Sequence, residues 1–171
     1  EYTPWPFYAR GMGHMEAKGE RYMEWLVNVL KPGVDRRFRT LPQREHTYIC
    51  GSSMGGLMSV YALCRYNRIF SKAAALSPSL WVNSARAVQL IRDSALAEDT
   101  IIYMDYGSEE MKNHKNIQEA LKYAAGAFLD RQVNICMRIV PGGQHCEASW
   151  EQQIPVFMKC LQIEGRRGNR R

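Results

Sequence analysis

The sequence predicts an α/β protein in which a mostly parallel sheet is flanked by helices. Short β-prone runs alternate four times with helix-like segments between Thr47 and Leu161. Consecutive strands joined through a helix run parallel, because the helix returns the chain to the same end of the sheet. The 171 residues are 46% hydrophobic. This length and composition suit one domain with a sizeable core.

The N-terminal part precedes these units. A Pro- and aromatic-rich stretch from Tyr2 to Phe7 predicts irregular chain packed against the rest of the protein. Apolar residues at helical spacing from Met15 to Leu30 predict a helix, and Lys31-Pro32-Gly33 is expected to end it. Residues 36–44 are polar and contain Pro42, which predicts a loop.

The four strand-and-helix units follow in order. The predicted strands are Thr47–Cys50, Lys72–Leu76, Thr100–Met104 and Val133–Val140, and the predicted helices are Met54–Tyr66, Ala85–Leu96, Asn116–Leu129 and Ala148–Leu161. Pro155 predicts a kink or a late start in the last helix. Ligands of such sheets bind at the carboxyl ends of the strands, so the turns after the four strands are the expected place for a site.

The charge distribution argues against nucleic-acid binding. The chain carries 23 basic and 17 acidic residues, a net charge of +6. Four of the basic residues are Arg166, Arg167, Arg170 and Arg171, and the remainder gives 19 − 17 = +2. We therefore expect a single domain over residues 1–162 and a basic tail over 163–171, not a basic binding face. No apolar run approaches the roughly 20 residues that span a bilayer, so no membrane association is expected.

The cysteines favour a reduced, cytoplasmic protein. They are five in number, at positions 50, 64, 136, 146 and 160, without CxxC spacing. An odd number without paired spacing favours free thiols over a disulfide framework or a zinc site. The sequence offers no metal-ligand set and no cofactor motif, so neither a metal nor a cofactor is expected. The oligomeric state stays open, and a homo-oligomer is one option.

A G-x-S-x-G motif follows the first of the four strands. It reads Gly51-Ser52-Ser53-Met54-Gly55 and lies between a predicted strand and a predicted helix. In this context the central Ser occupies a tight, strained turn, and the flanking glycines avoid collisions with the neighbouring strand and helix. Ser53 is then the candidate nucleophile, and the Met54 N–H is a candidate oxyanion donor. The alternative is an ordinary helix-opening turn with Ser52 or Ser53 as N-cap.

A serine nucleophile needs a general base, and His145 is the best candidate among the four histidines. It lies in Pro141-Gly142-Gly143-Gln144-His145, between the last strand and the last helix. The chain order Ser…acid…His places the base there. The other three, His14, His46 and His114, are more easily explained as surface or helix-end residues.

The triad acid should follow the strand Thr100–Met104. Asp105, Glu109 and Glu110 are the available carboxylates. Asp105 is also explicable as a turn-forming or buried polar residue, and the two glutamates as solvated acids at a helix start. Spacing alone does not choose among the three.

Several separate blocks of the chain share the pattern of one family. They are Gly51–Tyr61, Phe70–Trp81, Glu1–Trp5, Leu30–Pro32, Asp105-x-Gly107-x-x-Glu110, and Pro141–His145 with Trp150. In these blocks the chain resembles the Putative esterase family, which includes esterase D-like enzymes, feruloyl esterases and siderophore trilactone esterases. The resemblance covers the chain up to about Leu161.

This resemblance implies an α/β-hydrolase fold and a Ser–acid–His triad that cleaves carboxylic esters. It maps the acid onto Glu110, with Asp105 as the fallback, and places Trp81 at the substrate pocket, although a buried core Trp is an equal alternative. Members of the family carry a further N-terminal portion that supplies the first strands and the second oxyanion-hole N–H. We therefore expect the chain to hold the C-terminal portion of the domain.

Three functions follow from these features, in order of preference. The first is a serine esterase that acts on a small-molecule ester through an acyl-enzyme intermediate. The second is a catalytically inactive esterase-like binding module or fragment. The third is an acyltransferase on the same scaffold, in which an alcohol replaces water.

Overall fold

A computed structural model of the chain describes residues 2–9, 11, 13–111 and 115–162. The predicted tail over 163–171 and His114 lie outside the described residues. Within the described ranges, no helix has both the length and the apolar character needed to cross a membrane. The five cysteines are free thiols. The cytoplasmic location inferred from their number stays a prediction.

A four-stranded parallel sheet forms the centre of the molecule. Its strands lie in the order β3 (Tyr48–Ser52), β4 (Lys72–Leu76), β5 (Ile101–Gly107) and β6 (Asn134–Val140). Every neighbouring pair is parallel. All four carboxyl ends therefore lie at one edge of the sheet, as the alternation of strands and helices predicted.

Helices cover both faces of this sheet. The larger core lies between one face and the helices α3 (Met54–Arg65), α4 (Ser84–Asp93) and α6 (Lys115–Asp130). The smaller core lies on the other face, against α8 (Ile154–Cys160). β4 shows the division, because Ala73 and Ala75 belong to the larger core while Ala74 and Leu76 belong to the smaller one. Alternate residues of a strand point to opposite faces, so both faces of this strand are buried.

The N-terminal region corrects two predictions. The helix expected to end at Lys31-Pro32-Gly33 instead continues from α1 (Gly19–Trp25) through a π-helical turn (Leu26–Leu30) into α2 (Lys31–Arg37). Pro32 directly follows the π-helical turn, in which the Lys31 N–H is bonded to the Leu26 carbonyl five residues back, so its missing N–H falls where the regular helical ladder is already interrupted. The same helix begins later than predicted, at Gly19, because Met15 belongs to β2 (Gly13–Met15), which pairs with β1 (Phe7–Ala9) in a small antiparallel sheet. The predicted irregular stretch Tyr2–Phe7 is irregular up to residue 6.

The remaining elements agree with prediction except at their ends. The strand Lys72–Leu76 is confirmed to the residue. The last helix is divided into α7 (Glu147–Glu151) and α8, and Pro155 opens α8. β5 runs three residues beyond its predicted end, to Gly107. Asp105 therefore lies inside a strand and not at its end, and a four-residue helix α5 (Ser108–Met111) follows directly.

Candidate active site

Ser53 lies at the turn between β3 and α3 in a backbone conformation that L-amino acids rarely adopt. Its φ is 55° and its ψ is −119°, and Met54 is the first residue of α3. Such strain persists only where the surroundings impose it. The Ser53 N–H donates to the Leu76 carbonyl at 2.9 Å, and its own carbonyl accepts from the Ser79 N–H at 3.0 Å. The end of β4 therefore holds the turn from both sides.

Two glycines allow this turn to pack closely. A Cβ on Gly51 would lie 2.5 Å from backbone atoms of Gly55, and a Cβ on Gly56 would lie 2.9 Å from the Pro78 Cα. A Cβ on Gly55, by contrast, would meet nothing within 4 Å. The expectation that both glycines of the motif avoid a collision of their own side chain is therefore wrong for Gly55. The backbone of Gly55 instead lies so close to Gly51 that position 51 has no room for a side chain.

Three predicted side chains meet in one hydrogen-bonded row. His145 Nε2 lies 2.9 Å from Ser53 Oγ, and His145 Nδ1 lies 2.6 Å from Glu110 Oε2. An ionised carboxylate only accepts hydrogen bonds, so Nδ1 carries the proton and Nε2 is free to accept the Ser53 hydroxyl proton. This is the arrangement of nucleophile, base and orienting acid that serine hydrolases use.

Glu110 is the buried end of this row. Its side chain is 3% exposed, whereas that of His145 is 47% exposed. The carboxylate accepts at Oε1 from the Gly107 N–H at 2.9 Å and from the Ser77 hydroxyl at 2.7 Å. Its position follows from the end of β5, because only Ser108 and Glu109 separate the last strand residue, Gly107, from Glu110 in α5.

Asp105, the alternative acid, has other partners. It is 1% exposed and accepts from the Tyr103 hydroxyl at 2.7 Å and from the Ser77 N–H at 3.2 Å. Burial raises the pKa of its carboxyl above the ordinary value, against the hydrogen bond from Tyr103, which lowers it. The geometry thus joins Glu110 to His145 and assigns Asp105 to a separate buried hydrogen-bond group.

A cleft of about 670 Å³ opens over Ser53 and His145. Its walls are mainly apolar and aromatic, with one carboxylate: Tyr2, Tyr22, Met23, Leu26, Ile49, Cys50, Met54, Met58, Glu147 and Trp150 contribute to them. Trp81, expected at the pocket by resemblance, is not among the lining residues. It lies in the 3₁₀ turn Leu80–Val82 and is 48% exposed, so it is not a buried core Trp either.

Cys50 also faces the cleft, and it is a second side chain with nucleophilic chemistry. Cys50 is exposed as a residue, but desolvation of its sulfur, together with the charge of Asp105, raises the pKa of the thiol to about 11. The thiolate is the reactive form of cysteine, and at neutral pH it is a very small fraction of such a thiol. The hydroxyl of Ser53, which has a base within hydrogen-bond distance, is therefore the better candidate nucleophile.

The remaining sequence candidates lie elsewhere. His14 belongs to β2, and His46 ends the 3₁₀ turn Arg44–His46 that precedes β3. In the part of the chain that the structure describes, no group of three or more His, Cys, Asp or Glu side chains could hold a metal ion. Two residues of the site had no predicted role. Ser77 is bonded to Glu110, and Trp150 packs edge-on against the His145 ring. Both belonged to the blocks that carry the family resemblance, Phe70–Trp81 and Pro141–His145 with Trp150, and that resemblance was the available indication.

Comparison with known proteins gives the family of this chain. A sequence model of the Putative esterase family matches residues 1–159. The chain belongs to the Putative esterase family. A relative in Bacillus subtilis (strain 168), Uncharacterized protein YbbA, is 29% identical over an alignment of 159 residues. The match covers 85% of this chain and 61% of the relative.

Solved structures of similar fold are more distant in sequence. An IroE-like serine hydrolase from Shewanella oneidensis superimposes with a TM-score of 0.71 at 19% identity, over 95% of this chain and 55% of its own. A ferulic acid esterase gives a TM-score of 0.68 at 17% identity, over 84% of this chain and 61% of its own. The predicted α/β-hydrolase fold is thereby confirmed. The chain spans about 60% of the length of these relatives.

Proposed function

We propose that this chain hydrolyses carboxylic esters, with Ser53 as nucleophile, His145 as general base and Glu110 as the orienting acid. One observation carries the proposal: the continuous hydrogen-bonded row from Ser53 Oγ through His145 to the buried Glu110 carboxylate. Membership of an esterase family is the independent support.

The first half of the reaction forms an acyl-enzyme. As Ser53 Oγ attacks the ester carbonyl carbon, His145 Nε2 takes the hydroxyl proton, and the imidazolium is stabilised by Glu110 at its Nδ1. The carbonyl oxygen becomes an oxyanion beside the amino end of α3. The Met54 N–H is among the first N–H groups of that helix, which have no partner within the helix and are available to an anion. Collapse of the intermediate expels the alcohol, which receives the proton from His145.

The second half releases the acid. Water attacks the acyl-enzyme carbonyl, His145 removes a proton from the water, and Ser53 leaves with that proton restored. His145 is exposed on the side of the cleft, so water can reach it without passing through the core. Ser79 Oγ, 3.5 Å from Ser53 Oγ, is a further polar group at the reacting centre.

The substrate is proposed as a small-molecule ester with an apolar or aromatic group. The cleft has the size of a small-ligand site and its walls include Tyr2, Tyr22 and Trp150. The printed names of solved relatives include a ferulic acid esterase and an enterobactin esterase from Shigella flexneri. Another is an S-formylglutathione hydrolase from Staphylococcus aureus. A feruloyl ester, a siderophore lactone and a small thioester are thus reasonable first substrates.

The test compares this chain with its Ser53→Ala variant in hydrolysis of a p-nitrophenyl ester and in labelling by a fluorophosphonate. We expect turnover to fall by at least about 10³-fold and the label, located by peptide mass spectrometry, to disappear. Ser71→Ala is the matched control, because Ser71 is buried next to the amino end of β4, at the opposite edge of the sheet. Equal turnover in Ser53→Ala would refute the proposal.

The same experiment separates the two other functions. An inactive binding module would leave Ser53 unlabelled in the unmodified chain. An acyltransferase would label, but would give mainly the transesterified product when a competing alcohol is added.

A further inference from the structure

Behind the triad acid, a second hydrogen-bonded row runs from Trp150 through Ser77 to Glu110. The Trp150 Nε1–H donates to Ser77 Oγ at 2.9 Å, and the Ser77 hydroxyl donates to Glu110 Oε1 at 2.7 Å. The direction of this row is fixed by chemistry, because an indole N–H can only donate and a carboxylate can only accept. The Ser77 hydroxyl must therefore point its proton at Glu110.

Ser77 is held in place by the sheet. It is 2% exposed, and its φ of 43° puts it in the left-handed region. Its N–H lies 2.9 Å from the Asp105 carbonyl and 3.2 Å from Asp105 Oδ1, so its backbone is bonded to the neighbouring strand. A non-glycine residue in this conformation costs free energy, which indicates that its side chain has a function at this position.

Trp150 also contacts His145, the partner of Glu110 in the triad. Its ring packs edge-to-face against the His145 ring, with centroids 4.9 Å apart and an interplanar angle of 85°. Trp150 thus contacts the base through its ring and reaches the acid through Ser77. The two contacts fix the His145 ring and the Glu110 carboxylate relative to each other from one side chain in α7.

We propose that Ser77 and Trp150 are positioning residues that hold the Glu110–His145 pair in its reactive geometry. Glu110 Oε1 takes hydrogen bonds from Ser77 and from the Gly107 N–H, which leaves Oε2 directed at His145 Nδ1. Loss of the Trp150 N–H frees the Ser77 hydroxyl to rotate, and loss of the Ser77 hydroxyl removes one of the two donors at Oε1. This inference rests on the proposed function for its catalytic consequence.

The experiment is a double-mutant cycle on Ser77→Gly and Trp150→Phe. Glycine removes the hydroxyl and accepts the positive φ without strain, and phenylalanine keeps an aromatic ring beside His145 but removes the N–H donor. The controls are Ser71→Ala and Trp25→Phe, the latter at a residue 47% exposed at the end of α1 and outside the lining of the cleft. Folding of each variant is checked by circular dichroism and thermal unfolding.

We expect each variant of the pair to lower kcat by about 10-fold, as loss of a hydrogen bond to a charged group does, with KM changed less than about 3-fold. The double variant should be no slower than the slower single variant, because both changes break one row. Losses that multiply in the double variant, or losses confined to KM, would overturn the proposal, since a Trp150 that acts only as a wall of the cleft behaves in that way.

A second readout does not need esterase activity. The proton between His145 Nδ1 and Glu110 Oε2 should give a downfield proton resonance, assigned by its loss in His145→Gln. We expect it to shift in Ser77→Gly, which leaves the Trp150 ring beside His145, and to remain in place in Trp25→Phe. An unchanged resonance in folded Ser77→Gly would refute the positioning role. The resonance in the unmodified chain and its shift in the variant can both be present while the unmodified chain shows neither turnover nor labelling. That outcome would refute the proposed function alone.

Discussion

Gly107 and Gly143 lie in direct backbone contact, and this contact joins the two loops that carry Glu110 and His145. A Cβ on Gly107 would overlap the Gly143 carbonyl and lie 2.9 Å from the Gln144 nitrogen, while a Cβ on Gly143 would lie 2.9 Å from the Gly107 Cα. The Glu109 N–H donates to the Gly143 carbonyl at 3.1 Å across the same contact. This backbone contact therefore sets the distance between the acid and the base. It needs glycine at both positions, because a side chain at either one would collide with the other segment.

Gly107→Ala should separate these loops. The added methyl cannot be accommodated by a rotating side chain, because the atoms it meets are backbone, and we expect about 1–3 kcal/mol lower free energy of unfolding. Displacement of Glu110 from His145 by even 1 Å should lower kcat by about 100-fold. Gly126→Ala is the matched control: its Cβ meets nothing within 4 Å inside α6, where alanine should raise stability slightly. Equal effects in both variants, measured by urea unfolding and ester turnover, would contradict this account of the contact.

Glu110→Gln and Asp105→Asn should separate the two candidate acids. Glutamine offers His145 Nδ1 an amide and favours the wrong imidazole tautomer, so we expect kcat to fall by about 10³- to 10⁴-fold with the fold retained. Asp105→Asn, whose side chain faces Tyr103 and the Ser77 N–H, should change kcat by less than about 10-fold. Steady-state kinetics on both purified variants decides, and the reverse order of losses would make Asp105 the acid.

Asp105 should also make stability depend on pH. Because burial raises its pKa in the folded protein above 3.8, its contribution to stability is complete below that value. The contribution is lost as the pH rises through the folded-state pKa. Stability of the unmodified chain relative to Asp105→Asn should therefore decrease as the pH rises above 3.8, by at most about 1.4 kcal/mol per pH unit, and level off above the folded-state pKa. Urea unfolding of both proteins over this range is the measurement, and a difference that grows with pH would contradict the burial argument.

Ser71→Ala should not destabilise the chain. Ser71 is 1% exposed, and its hydroxyl oxygen has no hydrogen-bond partner within the described residues. Removal of a buried hydroxyl without a partner abolishes a desolvation cost of about 1–3 kcal/mol, so the midpoint of thermal unfolding should stay equal or rise. Ser77→Gly, whose hydroxyl is bonded twice, should lower it. A clear loss of stability in Ser71→Ala would show that its hydroxyl has a partner after all.

The N-terminal helix shows where sequence patterns are insufficient. Lys31-Pro32-Gly33 is a common helix-ending pattern, yet here the chain passes through a π-helical turn and continues to Arg37. In the π-helical turn the Lys31 N–H bonds to the carbonyl five residues back, not four. The local Pro-Gly pattern gives no sign of this change in hydrogen bonding. The length of β5 was underestimated for a related reason. Asp105 is a poor strand residue by itself, but Tyr103 and Ser77 satisfy its carboxylate inside the sheet.

The sequence by itself determined the elements of the parallel sheet, the strained turn at Ser53 and the loop of His145, because each depends on local chemistry: hydrophobic periodicity, a glycine-bounded turn, and the order of motifs along the chain. It left three carboxylates open, and resemblance alone favoured Glu110. Only the tertiary structure decided which carboxylate meets His145, since that depends on the contact between Gly107 and Gly143. The row through Ser77 and Trp150 also depends on distant segments brought together, so no spacing within the sequence could reveal it.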